Sequence, residues 1–324
     1  MSAVIPFRVL FLFLSWTACL SATAQEFTMV ELNCENLFDT RHDEGKQDEE
    51  YQPESIRQWT PKRYWRKLNN IAQEILSCAD EGVPELIALC EVENDSVLRD
   101  LTRRSLLRNA GYEYLMTQSP DLRGIDVALL YQPLAFRPVC YECLRVDPLP
   151  EMQPTRDILY VRGETAQGDT LHVFVVHAPS RYGGEKSTRA NRRIVMERLT
   201  DAIGLLPAHS RVVVAGDFND YADSPSLQLL EQHGLSNITR HASGSHGALA
   251  TYRFKGRWQS IDHILVSPSL LDAVDKAYVN DSPFLLEEDI EYGGVRPLRT
   301  YLGFRYHRGF SDHLPLVVKL SLAR

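Results

Sequence analysis

Apolar residues along this chain recur in short runs closed by Gly, Pro, Asn or Asp, with a few stretches of helical spacing between them. Residues 27–32 alternate as a strand and stop at Asn33. Thr60-Pro61 reads as the N-cap and first position of a helix. Its Tyr64, Leu68, Ile71, Ile75 and Leu76 share one face, which would lie on a sheet. Residues 84–90 form the next strand, ending in Glu91, and a helix over 97–109 closes at Gly111. Strands are expected over 112–118, 125–131, 136–146, 155–163 and 170–177, the last ending at His177. A helix over 188–206 follows a loop at 179–187. Val212, Val213 and Val214 then make a β-branched run that reads as a strand buried on both faces. A short helix begins at Asp223 or Ser224 with Pro225 in its first turn, and strands over 249–254, 260–267, 273–279 and 314–320 complete the pattern. Two stretches stand outside it. Residues 40–58 are acidic and read as a solvated loop; residues 281–310 are an irregular insert rich in Tyr, Arg and Gly.

The first 24 residues follow a different logic. Arg8 is their only charge, residues 9–14 are wholly apolar, and Ala22-Thr23-Ala24 is a small-x-small cleavage signal. The apolar core is too short for a membrane span of about 20 residues. A signal peptide over 1–24, cleaved after Ala24, is expected, with a secreted or periplasmic product; a lipoprotein modified at Cys19 is the alternative, set back by Trp16. No linker or repeat divides residues 25–324, so one domain is expected there.

Removing Arg8 leaves 34 basic residues against 43 acidic. That balance argues against tight, sequence-blind binding of long nucleic acid, which depends on phosphate neutralisation by Lys and Arg. Catalysis on nucleotides stays open, because a cation can supply positive charge. Cys140 and Cys143 form a lone Cys-x-x-Cys without a second pair to complete a zinc site, leaving a disulfide or two free thiols. Cys34 and Cys90 sit in apolar runs and read as small core residues.

The candidate chemistry gathers at strand ends. Asn33, Glu91, His177, Asp217 with Asn219, and Asp312-His313 each lie where an apolar run begins or ends, and Asp262-His263 opens another. In an extended segment residues two apart point the same way, so Asp217 and Asn219 would face one space. Polar groups at several strand mouths can converge on one end of a rigid scaffold.

These stretches resemble, in order, the endonuclease/exonuclease/phosphatase superfamily, whose fold is that of pancreatic-type deoxyribonuclease. The resemblance rests on Leu-Asn-Cys-Glu-Asn-Leu-Phe around Asn33, Leu-Cys-Glu-Val around Glu91 and His-Ala-Pro-Ser from His177. Gly-Asp-Phe-Asn at 216–219, Ile-Asp-His-Ile-Leu-Val-Ser at 261–267 and Ser-Asp-His-Leu-Pro at 311–315 complete it. It implies an α+β fold, a four-layer α/β/β/α sandwich with two mixed sheets face to face and one site across the top. It also implies a Mg²⁺ (or Mn²⁺) ion held principally by Glu91, with Asn33 and Asp312 beside it. Asp217 and His313 are then the candidates for activating water, with Asp262 orienting His313. Asn219 and His177 would hold phosphate oxygens; alternatively His177 protonates the leaving oxygen, with Asp126 as its carboxylate partner.

For substrate, Arg181, Arg189 and Arg192 follow His177 and could grip phosphate. Tyr252, Trp258, Arg299, Tyr301 and Tyr306 could supply stacking surfaces. The reading is an exported, divalent-metal-dependent phosphoesterase, with a nuclease or phosphodiesterase acting on nucleic acid or oligonucleotides placed first. Its rivals are a phosphatase or phospholipase-C-like enzyme acting on a lipid or sugar phosphate, and a silent binding protein on the same fold. The expected partner is a phosphate-ester substrate alone.

Overall fold

The computed structural model describes residues 25–322; the candidate signal peptide, its cleavage after Ala24 and Cys19 lie outside the described residues. In chain order, β1 (Gln25–Leu37) is followed by α1 (Pro61–Leu76), β2 (Leu86–Val92), α2 (Asp95–Arg103), β3 (Glu113–Met116) and β4 (Asp126–Tyr131). The middle of the chain supplies β5 (Phe136–Leu144), β6 (Ile158–Thr165), β7 (Thr170–His177), α3 (Glu185–Gly204), β8 (Arg211–Asp217), α4 (Pro225–Gln232) and β9 (Ser236–Asn237). A hairpin of β10 (Tyr252–Phe254) and β11 (Arg257–Gln259) precedes β12 (Asp262–Val266), α5 (Pro268–Leu271) and β13 (Val274–Val279). The 281–310 stretch folds into two small hairpins, β14 (Leu286–Glu288) with β15 (Val295–Pro297) and β16 (Tyr301–Leu302) with β17 (Arg305–Tyr306). The last strand is β18 (Leu316–Leu322).

The large strands make two six-stranded sheets, ordered β13-β18-β1-β2-β4-β3 and β5-β6-β7-β8-β12-β9. Both are mixed. Within each, only the central pair is parallel, β1 with β2 and β7 with β8. Alternation along each strand sends one set of side chains between the sheets and the other outward. Met29, Ala88, Val127 and Leu129 of the first sheet thus share an inner core with Val173, Val213, Ala215 and Ile264 of the second. On the outer faces, Leu68, Ile71 and Ile75 of α1 cover Val30, Leu32 and Leu89. Val195, Met196 and Leu199 of α3 cover Val212, Val214 and Val176. Each such side chain fully buried contributes about 1.5–3 kcal/mol. The four-layer α/β/β/α sandwich is therefore the observed fold, and Val212–Val214 are buried on both faces as expected.

The connections explain where chemistry collects. Parallel neighbours joined by a crossover helix end at the same edge of the sheet. α1 joins β1 to β2 and α3 joins β7 to β8, so Asn33, Glu91, His177 and Asp217 all lie at one rim. Antiparallel neighbours begin where those strands end: Asp262 of β12 pairs with Asp217, and Ser311–His313 lead into β18 beside β1.

Two local expectations change, and the open one about the cysteines is resolved. The helix over 97–109 is shorter, because Asn94 caps α2 and Ser105 caps a separate 3₁₀ turn at Leu106–Asn109. The acidic 40–58 loop is anchored rather than solvated: Tyr51 stacks on Phe38 at 4.2 Å, Asp48 is buried, and Lys46 Nζ donates to the Asp121 carbonyl at 2.8 Å. Cys140 and Cys143 are exposed free thiols, while Cys34 and Cys90 are buried. Three positions apart on β5, Cys140 and Cys143 face opposite sides of the sheet, which keeps them from pairing with each other. No helix among the described residues is long and apolar enough to cross a membrane.

α1 carries a buried carboxyl, Glu74, whose two oxygens have no hydrogen-bond partner among the described residues. Burial pushes its pKa up to about 8, against a partial pull from Lys67. A carboxyl raised on folding stabilises the fold below its unfolded pKa of about 4.3 relative to higher pH. That stability is lost progressively as pH rises through about 8. Glu74→Gln removes this dependence, so its melting temperature relative to wild type is expected to climb between pH 5 and pH 9. A constant difference across thermal melts in that window would contradict it.

Candidate active site

At the rim of the four central strands lies a cavity of about 500 Å³. Asn33, Glu91, His177, Asp217, Asn219, Asp312 and His313 all line it, as do Arg181 and Tyr252. Most of the residues singled out in the sequence therefore meet in one place, although Asp262, Asp126, Arg189 and Arg192 do not line it.

The floor is a set of locked side chains. Asn33 Nδ2 donates to Asp217 Oδ2 at 3.0 Å across the two sheets, and the Asn33 carbonyl accepts from Ser311 Oγ at 2.6 Å. β8 ends at Asp217, where Gly216 has φ +153°; a Cβ there would sit 1.8 Å from the Val176 carbonyl oxygen. Asp217 Oδ1 accepts from the Asn219 backbone N–H at 2.8 Å, and Asn219 Nδ2 donates to the Ala178 carbonyl at 3.1 Å. Asn219 itself is left-handed, φ +51°. Asp217 and Asn219 converge because the chain turns there, not by strand alternation, which corrects the expected reason while keeping the pair.

Glu91 is also left-handed, φ +62°, at a register shift between β2 and β4. A non-glycine residue held there stores about 1–3 kcal/mol of strain and is found where surrounding structure fixes it. Its Oε2 accepts from the Asn36 backbone N–H at 2.8 Å. Its Oε1 has only longer contacts, 3.8 Å to Arg123 and 4.0 Å to His177 Nε2. Asp312, which also lines the cavity, has its Oδ2 paired with Arg299 at 2.7 Å.

Asp262 is fully buried and accepts from His313 Nδ1 at 2.8 Å and from the Thr251 hydroxyl. The His313 ring packs against Tyr252, tilted by 33° with ring centroids 4.8 Å apart. Burial opposes charge on His313, but Asp262, Asp312 and Asp217 override it and hold its pKa well above the usual histidine range. Burial, reinforced by the Asp262 charge, pushes Asp217 up to about 7. Burial and the nearby Arg156, Arg123 and His313 charges hold His177 well below the usual range. The site thus contains one imidazole kept neutral and one kept charged.

Two donor sets could meet a divalent ion. Asp217, Asp262 and His313 present ligand atoms within 4.8 Å of one another. Their carboxylates already have partners: Asp262 is fully buried and accepts from His313 Nδ1 and the Thr251 hydroxyl, and Asp217 accepts from Asn33 Nδ2 and the Asn219 N–H. Glu91 and Asp312 face the cavity with hard oxygens and space for waters, the setting Mg²⁺ or Mn²⁺ favours. The residues present fit such an ion at Glu91. Asn33 serves first as a brace, since its amide oxygen already accepts from the Glu35 N–H at 3.0 Å.

Several expected roles are corrected. The Asp126 carboxylate accepts from the Ser119 N–H at 3.0 Å and from the Thr117 and Ser119 hydroxyls, so it is a loop anchor. His177 Nδ1 has no partner among the described residues, and no carboxylate supports His177 as an acid there. Arg192 is buried and paired with Asp220 at 3.1 Å, tying α3 to the loop after Asp217. Arg189 is on an exposed helix face, 3.7 Å from Glu185 one turn away. Trp258 packs on the inner core, and Tyr301 and Tyr306 on the α1 side. Arg299 bridges Asp312 and Glu35. Arg192→Ala is therefore expected to lower stability by about 3–5 kcal/mol, by stranding Asp220. Denaturant titration checks it; an unchanged midpoint with a raised KM would restore Arg192 to the cleft.

Arg123, three residues before Asp126, is a cavity residue that sequence reading missed. Its guanidinium donates to Asn36 Oδ1 at 2.6 Å and lies beside Glu91. Arg181 donates to Gln259 Oε1 and lies 4.6 Å from the Tyr221 ring. Tyr182 and Phe254 add exposed aromatic walls.

A model of the Endonuclease/Exonuclease/phosphatase family matches residues 28–322. The chain belongs to that family. Among curated proteins, YbhP of Escherichia coli strain K12 is 27% identical over 168 residues, 52% of this chain and 53% of YbhP. The chain spans about half the length of the curated relatives it matches. Among solved structures, an endonuclease/exonuclease/phosphatase family protein from Bacteroides thetaiotaomicron superposes with TM-score 0.62 at 16% identity, covering 93% of this chain and 99% of that one. A mannosyl-6-phosphatase from the same species superposes with TM-score 0.61 at 17% identity, covering 91% and 100%. Members of the endonuclease/exonuclease/phosphatase family are hydrolases acting on phosphate esters, and the cavity holds the acid, amide and imidazole groups such hydrolysis uses.

Proposed function

We propose that this chain is an exported, Mg²⁺- or Mn²⁺-dependent hydrolase of small phosphate esters, with direct attack by water. The observation that carries the choice of a small substrate is the charge lining the cavity. Glu91, Glu185, Asp217 and Asp312 face it, against Arg123, Arg181 and the charged His313, which is held by Asp262. Both guanidiniums already hold protein partners, and Arg189 and Arg192 lie elsewhere. A long polyanion needs a row of phosphate contacts along its backbone. A single ester needs one charged centre.

The cation, held at Glu91 with Asp312 alongside, would supply positive charge to a phosphoryl oxygen. Asp217, fixed by Asn33 and the Asn219 N–H, is placed to take a proton from water, and a pKa near neutrality suits a general base. With Nδ1 committed to Asp262, His313 has Nε2 left for the cavity, where its charge favours the transition state. Neutral His177 offers Nε2 to a phosphoryl oxygen, and Asn219 orients Asp217.

A second reading, hydrolysis of short oligonucleotides, draws support from Tyr182, Tyr252 and Phe254, which could stack on bases. Turnover of hexose phosphates, aryl phosphate mono- and diesters, dinucleotides and plasmid DNA with Mg²⁺ and with EDTA separates the readings. EDTA-sensitive release from small esters is expected. Plasmid cleavage with inert small esters would replace the first reading by the second.

A further inference from the structure

A second cavity of about 560 Å³ adjoins the catalytic one, and Arg123, Ser180 and Tyr182 line both. Its chemistry is different. Gln47, Gln153 and Asn191 present amides to it, and Leu122, Met152 and Pro154 supply apolar surface. Most of the charge in its wall is spent: Asp121 pairs with Arg156 at 3.1 Å, and Arg156 also donates to the His177 and Ala178 carbonyls at 3.2 and 2.7 Å. Glu151, at the exposed margin, leaves a carboxylate that can accept from ligand hydroxyls. The same wall holds Thr155, 2% exposed, whose hydroxyl has no hydrogen-bond partner among the described residues. A buried hydroxyl without a partner leaves its desolvation uncompensated, and a ligand group bonding to it would remove that cost. Tyr182, 92% exposed, stands where the two cavities meet.

We propose that this second cavity is a subsite for an uncharged, polyhydroxylated group, a hexose ring or similar polyol, attached to the phosphate being hydrolysed; this rests on the small-ester reading above. Amides and a free hydroxyl match the donors and acceptors of sugar hydroxyls, and apolar patches match the C–H face of the ring. A second phosphate would find only Arg123, which already faces Asn36 and Glu91. A nucleobase would meet a single aromatic side chain, Tyr182, rather than a sandwich. The shared boundary places the ester phosphate in the catalytic cavity while the ring lies beyond Tyr182.

Binding is read without turnover by saturation-transfer NMR with methyl hexopyranosides, with adenosine and uridine as comparison ligands. Thr155→Val keeps the shape and removes only the unpaired hydroxyl, so folding is not put at risk; Gln153→Ala, on the surface, is a second variant. Wild type is expected to show transfer to at least one hexoside, weakened in both variants. In kinetics, the kcat/KM ratio of the matching hexose phosphate to p-nitrophenyl phosphate should fall about tenfold, mainly through KM, in line with about 1.4 kcal/mol per decade. Transfer to nucleosides with none to hexosides, or hexoside binding untouched by both variants, would overturn the subsite. Hexoside binding retained by an enzyme inert toward every phosphate ester would overturn the ester reading alone.

Discussion

His313→Ala is expected to lower kcat/KM by about 10²–10⁴-fold, Asp262→Asn by much of the same factor, and the double variant by little more than His313→Ala. The range is that of a single proton-handling or charged group in a transition state. The geometry gives the non-additivity its reason. Asp262 is fully buried, and His313 Nδ1 lies 3.0 and 2.8 Å from its two oxygens. By side-chain hydrogen bonds Asp262 therefore reaches the cavity only through His313, and once the ring is gone it has nothing left to orient, its remaining effect being the charge it sets beside Asp217. Residues acting as one unit show losses that do not add. Steady-state kinetics of the four proteins on one ester close the cycle. Losses that multiply in the double variant would mean that the two residues act separately, and a fully active His313→Ala enzyme would leave Asp217 to act without that charge. Because Asp262→Asn also strips a partner from Thr251, its thermal melt belongs beside the kinetics.

Much of this site could be read from the chain because strand ends leave a plain mark. A run such as Val212–Val214 followed by Gly216-Asp217 says where a buried strand stops and which side chain stands at its mouth. The matching edge of the neighbouring strands then follows from parallel pairing. What the chain does not display is which polar groups are already occupied. Arg192 and Arg181 look alike in sequence, yet one is sealed against Asp220 and the other faces the cavity. Asp126 sits at the head of β4 like the other rim acids, but Ser119 and Thr117 fold back to claim it. Such partners come from loops whose path depends on tertiary contacts, as with the acidic 40–58 stretch that Tyr51 and Asp48 anchor. The left-handed backbone at Glu91 and Asn219 is invisible for the same reason, since neither residue type demands it.

That backbone also sharpens the metal question. Glu91→Gln is expected to weaken Mn²⁺ binding by about a hundredfold or more and to reduce turnover with it, while the melting curve hardly moves. A hundredfold is about 2.7 kcal/mol, small beside the Coulomb energy between a carboxylate and a divalent ion at ligand distance, even at an effective dielectric near 20. Fold is spared because glutamine keeps an oxygen for the Asn36 N–H, the one short hydrogen bond the Glu91 side chain makes. The backbone turn is compatible with either residue. What changes is Oε1, which has only the 3.8 and 4.0 Å contacts to Arg123 and His177 and is thus the oxygen free for a cation. Calorimetric titration with Mn²⁺ decides between donor sets. If the ion instead lies among Asp217, Asp262 and His313, Glu91→Gln would titrate like wild type and Asp262→Asn would lose the heat of binding. If Glu91 is the ligand, Asp262→Asn keeps most of that heat while losing turnover, because its carboxylate is spent on His313 and Thr251.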